Sequence, residues 1–137
     1  MPNAKYDHTS TVITGEQWRG DRIRAYLFEG AVFDPAHTTL GQAREGAVQK
    51  NNTEIMSRSV GPAGEALGVS ALFNVTPKGG PYQMVLAWDR GGPDMTVLAF
   101  YDEDENGEEI ALANNGSLII RPKDFDPPTG LGTWFVF

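Results

Sequence analysis

The chain is expected to fold as an all-β antiparallel β-sandwich or jelly-roll-like domain. Three observations carry that expectation. Short runs alternate apolar and polar residues or are apolar throughout, and turn signals recur about every ten residues. Gly (16) and Pro (9) are both above average usage, as many short strands joined by tight turns require.

Residues 1–15 are polar and lack helical periodicity. They read as an extended N-terminal arm ahead of a single β domain over 16–137, an arm that either frays or orders against a neighbouring subunit. Residues 22–28 (RIRAYLF) alternate, with Ile23, Ala25 and Leu27 on one face, and predict a strand. Residues 29–40 contain Asp34-Pro35 and predict a loop. Residues 41–52 are the most helix-friendly stretch, but Gly46 interrupts them and Asn51-Asn52 closes them, so one short helix at most is expected. Residues 54–60 are a weak strand candidate, and 61–68 (GPAGEALG) a turn-rich connector.

Beyond the connector, residues 69–76 alternate well. Residues 82–88 form a near-continuous apolar run, as a central strand does. Residues 90–93 (RGGP) predict a turn, 95–101 a second apolar strand, and 117–121 a short strand after the Asn114-Asn115-Gly116 turn. Residues 124–132 are a Pro/Gly loop, and 133–137 (TWFVF) end the sequence as an apolar strand. That strand belongs either in the core or at a subunit interface, since an exposed apolar edge invites aggregation. About seven or eight strands result.

Residues 100–112 (FYDEDENGEEIAL) admit two readings. As chemistry, Asp102, Asp104 and Asn106 are hard oxygen ligands at alternate positions before Gly107, the first half of a calcium loop. The twelfth position is Ala113, where a bidentate Glu belongs, and no helical pattern flanks the loop. As structure, the stretch is a β-hairpin between strands over 97–101 and 109–112, with Asn106-Gly107 at the tip. The hairpin is the reading adopted, and no cofactor is expected.

Composition narrows function further. A formal charge of -7 argues against a nucleic-acid partner and against adhesion to an anionic membrane. With no cysteine, thiol catalysis, disulfides and thiolate metal sites are excluded. No run approaches a membrane span, and the N-terminal residues lack the apolar stretch of a signal peptide, so synthesis in the cytoplasm is expected.

No residue pattern assembles an active site. His8 and His37 belong to no metal motif, and His37, beside Asp34, Thr38 and Thr39, reads as a loop histidine. The paired carboxylates cluster at the expected hairpin tip, where charge is solvated, and no glycine-rich phosphate loop is followed by Lys-Ser/Thr. Trp88 and Trp134 sit in apolar runs and are expected in the core. Trp18, in the polar EQWRGD, is the tryptophan expected at the surface. The candidate partner contacts are Tyr6 and His8 in the arm, Trp18 and Arg19 just after it, and Trp134 and Phe137 in the terminal strand.

The pieces in their order resemble a group of small phage virion proteins. They are Trp18-Arg19-Gly20-Asp21 before a strand with Ile23 and Leu27, the loop His37-Thr38-Thr39-Leu40, and a Gly-rich middle over 61–68. Two long apolar strands over 82–88 and 96–101 follow, then 116–120 and Trp134-Phe135-Val136-Phe137. The resemblance implies a structural part of the head or tail, with no catalytic residue. The expected function is therefore a non-enzymatic bacteriophage virion structural protein, a capsid decoration (cement) protein acting as a homo-oligomer on other virion proteins. The alternatives are a minor tail protein, or a carbohydrate-binding β module using Trp18 and Tyr82 as its platform.

Overall fold

The computed structural model describes residues 3–91 and 94–137, and the Gly92-Pro93 half of the expected RGGP turn lies outside the described residues. Among the described residues the order is β1 (Ala4–Lys5), α1 (Thr9–Val12), α2 (Gly15–Gly20), β2 (Arg22–Glu29), α3 (Leu40–Ala43), β3 (Val48–Glu54), β4 (Ser59–Val60) and β5 (Glu65–Gly68). Then come β6 (Ala71–Thr76), β7 (Gly79–Asp89), β8 (Thr96–Tyr101), β9 (Ile110–Leu112), β10 (Gly116–Ile120), β11 (Lys123–Asp126) and β12 (Leu131–Val136). Every ladder is antiparallel. The main sheet runs β1-β8-β7-β2-β3, with β9 also on β7. A four-stranded sheet β11-β12-β5-β4 and the pair β10-β6 complete an all-β, sandwich-like fold.

The main sheet is covered on both faces, which explains the apolar run of β7. One face carries Ile23, Ala25 and Leu27 of β2 with Met84, Leu86 and Trp88 of β7, packed against Phe73, Leu118, Ile120, Trp134 and Phe135 of the other sheets. The opposite face carries Phe28, Val85, Ala87, Val97 and Phe100, under Tyr6, Ala31, Leu40 and Ala43. A strand buried on both sides has no polar face to show, so period-2 alternation vanishes in sequence.

The structure corrects the expected assignment of several segments. The segment over 41–52 is a single helical turn, α3, followed by the polar strand β3, which supplies backbone partners to the edge of β2. The connector over 61–68 contains β5, whose Gly68 lies where a Cβ would come 3.0 Å from Trp134 Nε1 and from Ile55 Cγ2. Glycine there lets the indole cross the strand. The loop over 124–132 begins with β11, and among the described residues three short helices occur rather than one. Both α2 and α3 start with a capping box, Thr14 with Gln17 and Thr39 with Gln42, each Thr oxygen accepting from the backbone N–H and each Gln answering the Thr N–H.

The hairpin expected over 97–112 is a different object. β8 and β9 do not pair with each other. Both lie on the same edge of β7, with Tyr101 opposite Met84 and Ile110 opposite Tyr82. Residues 102–109 are thus an excursion out of one interrupted edge strand, pinched at its base by the Glu103–Glu109 bridge. Asp104 closes the tip: its N–H donates to Glu108 O at 2.8 Å, and its Oδ1 accepts from Asn106 N–H at 2.8 Å and Glu108 N–H at 3.0 Å. Gly107 takes φ +76°, the left-handed conformation a glycine accepts at no steric cost. The unit is a local Asx-stabilised turn, because the backbone of β7 already occupies the partners a β8–β9 ladder would need.

The terminal strand β12 is interior to its sheet, between β11 and β5. A register shift between Thr133 and Phe135 lets the consecutive Trp134 and Phe135 both enter the core. Tyr101 donates its hydroxyl to Trp134 O and meets the indole edge-on at a 5.5 Å centroid separation. Burial raises the Tyr101 pKa far above the usual 10, and burial followed by the charge of Asp34 raises that of Tyr6. The unfolded chain releases these protons near pH 10 while the folded chain keeps them, so stability is intact below that pH and falls as pH rises beyond it. The melting temperature is expected to hold up to about pH 9 and to drop steeply above about pH 10. A melting temperature that stays flat from about pH 9 to about pH 11 would contradict this.

Candidate interaction surface

From Asn3 onward the expected arm folds onto its own chain, residues 1 and 2 lying outside the described residues. Ala4 and Lys5 pair with Phe100 and Ala99 of β8, and Tyr6 N–H donates to Leu98 O at 3.1 Å. Asn3 accepts from the N–H groups of Asp102 and Glu103, and Thr9 Oγ1 donates to Leu98 O at 2.6 Å. Lys5 Nζ reaches Val136 O at 2.6 Å, tying the first strand to the last.

Of the six candidate contacts, three are interior. Tyr6 and Trp18 are 0% exposed and Trp134 is 4% exposed, so none meets a partner from the folded state. Trp18, expected at the surface, instead donates Nε1–H to Ser59 O and Leu67 O, both at 3.0 Å, and packs edge-on against Phe135. The amphipathic α2 turns it inward while Arg19 stays exposed. His8 is partly buried with Nε2 2.7 Å from Val97 O, and Phe137 is partly buried against Phe135. Tyr82 is 1% exposed and gives its hydroxyl to Pro77 O at 2.6 Å. The carbohydrate platform expected at Trp18 and Tyr82 is therefore not a surface.

The His37 loop does not assemble a nucleophile. His37 Nε2 lies 3.8 Å from Asp34 Oδ2, but Thr38 Oγ1 donates to Gln42 Oε1 at 3.2 Å and Thr39 Oγ1 accepts from Gln42 N–H at 3.3 Å. Both hydroxyls are spent on capping α3. Beneath them the Tyr6 hydroxyl and His37 Nδ1 are buried without hydrogen-bond partners among the described residues. An unpaired buried hydroxyl costs about 1–3 kcal/mol. Tyr6→Phe is accordingly expected to leave the unfolding free energy unchanged or to raise it by about 1 kcal/mol, measured by chemical denaturation. A clear loss would show that the hydroxyl has a partner in solution.

A cavity of about 820 Å³ opens between the excursion and the ends of β11 and β12, lined among others by Lys5, Glu103, Arg121, Lys123, Trp134 and Val136. Its charges are mixed, and Arg121 is engaged by Glu105 at 3.6 Å. Among the described residues no group of three or more His, Cys, Asp or Glu is placed to hold a metal.

The surface that stands out was missed from sequence. On the outer face of β6–β10, Leu72 and Ile119 are register partners, 43% and 54% exposed. Beside them Val75 is 89% exposed with φ +53°, where Asn74 and Val75 together oppose Ser117 in a bulge. A β-branched residue in the left-handed region is strained by about 1–3 kcal/mol, and a valine displayed there carries that cost for an exposed side chain. The signal was present in the sequence: Leu118, Ile119 and Ile120 are successive apolar residues in an alternating strand, so one of them had to face out.

No protein-family model matches the chain, and comparison with curated proteins and with solved structures gives no match either.

Proposed function

We propose that the chain is a non-enzymatic bacteriophage virion structural protein, a capsid decoration protein made in the host cytoplasm and bound to the head in many symmetric copies. The observation that carries this reading is the apolar outer face of β6–β10, built from Leu72, Val75 and Ile119 and kept at a cost in backbone strain. Exposed apolar residues grouped on one strand pair mark a contact surface, and repetition in an array turns a small contact into firm attachment. The resemblance of the 18–21, 37–40 and 134–137 segments to small phage virion proteins supplies the setting. The double-sided core and the N-terminal segment bound to β8 make a rigid block suited to such a role.

Antibody against the purified chain is expected to label the heads of phage particles recovered from the organism that encodes it, in a repeating pattern. Label on tails would move the protein to the tail. Label confined to cell extract would overturn a virion role.

A further inference from the structure

The charge of this chain is unevenly placed. None of its 18 Asp and Glu residues falls within 66–88 or 110–123, and the residues charged at neutral pH there are Lys78, Arg121 and Lys123, all cationic. The pair β6–β10 therefore forms an acid-free island on a molecule of net charge -7. Its apolar strip has a cation at each end. Lys78 follows β6, with its N–H held by Asn115 Oδ1 at 2.7 Å, and Arg121 follows β10, with its guanidinium 5.0 Å over the Phe125 ring. The two ends are roughly 20 Å apart at strand spacing.

The complement of that strip exists on the same molecule. The 102–109 excursion carries Glu105, Glu108 and Glu109 at the surface, and it lies beside the strip, since Glu105 reaches Arg121. A surface on which a cation-flanked apolar strip adjoins an acidic loop is self-complementary under a two-fold axis, because the acidic loop of each copy can then face the cation-flanked strip of the other.

We propose that a second copy of this chain covers the β6–β10 face, with the acidic excursion of each copy set against the Leu72–Val75–Ile119 strip of the other. The contact rests on the assembly reading above and names its partner. Three exposed side chains fall well short of the roughly 800 Å² per partner of a stable interface, so the contact is weak for one pair and gains from multiplicity in an array. A nucleic acid does not fit, because the adjoining carboxylates repel phosphate.

Sedimentation equilibrium of the full chain, up to millimolar concentration and at low and high salt, tests it. Reversible dimerisation is expected, weakened roughly tenfold at high salt because charge pairing contributes. Val75→Asn is the decisive variant. Asparagine accepts the left-handed backbone, so the melting temperature is expected to hold or rise while the association constant drops roughly tenfold. Lys78→Glu is expected to weaken association without changing the melt. A monomer at every concentration, or a dimer indifferent to Val75→Asn, overturns the contact. A dimer indifferent to salt overturns the seating against the excursion. A monomer whose antibody labels phage heads removes this contact and leaves the function standing, whereas a dimer with no label on particles does the reverse.

Discussion

Trp18→Ala is expected to lose about 3–5 kcal/mol of stability, a large share of the roughly 5–15 kcal/mol that keeps an ordinary domain folded. The side chain is fully buried, and its removal has three consequences. A large cavity opens between α2 and the β4–β5 edge. The carbonyls of Ser59 and Leu67 lose their shared donor. The edge-on contact with Phe135, centroids 5.2 Å apart, disappears. Trp18→Phe separates these effects: it refills most of the cavity but still strands two carbonyls, so a loss of about 1–3 kcal/mol is expected. Denaturant midpoints measure both. A loss below about 1 kcal/mol for the alanine variant would mean that α2 is not an integral part of the core.

Arg58→Ala is expected to cost about 2–3 kcal/mol, a loss that lysine does not restore. The guanidinium donates from Nε to Trp18 O at 2.6 Å, from Nη1 to Ile55 O and from Nη2 to Asp21 O. Those carbonyls belong to α2, to its C-cap residue and to the residue after β3, so the fork gathers the exit of α2 onto the end of the β2–β3 ladder, where Ile55 N–H also donates to Ile23 O at 2.9 Å. One planar fork thus fastens them, and a point ammonium cannot reach three fixed acceptors. Desolvation lowers the Arg58 pKa, while Glu54 and Asp21 work in the opposite direction, and arginine remains charged throughout. Denaturation of Arg58→Ala and Arg58→Lys side by side checks this. Full recovery with lysine would show that only charge matters.

The strands that bury hydrophobic side chains were legible in sequence. Ile23, Ala25 and Leu27 fall on one face as alternation required, and residues 82–88 are a central strand as an unbroken apolar run required. What escaped were elements whose cause lies elsewhere in the chain. β3 reads VQKNNTE and has no pattern of its own; it is a strand because β2 offers it backbone partners and Asn51 ties it to Asn74 and Thr76. β5 hides in glycine because an indole from β12 needs the space. Trp18 was misplaced because its polar neighbours Glu16, Gln17 and Arg19 were read as the environment of a surface residue, when on a helical turn they are merely the other side. Tyr6 and Trp134 are interior because large aromatics are drawn inward wherever a core has room for them. The β6–β10 face was legible only in part, through the successive apolar residues 118–120 and the absence of carboxylates from two long stretches, because a bulge at Val75 cannot be read from residue types.

The interrupted edge strand gives the molecule a site of free length. Tyr101 and Ile110 both stay on β7, opposite Met84 and Tyr82, whatever lies between them. The entropic cost of a longer tip grows only slowly with its length, and no ladder must shift to admit it. Descendants of this chain can therefore lengthen, shorten or recharge that tip while the sandwich beneath keeps its shape. Peptides grafted there would be presented in one orientation by both flanking strand ends.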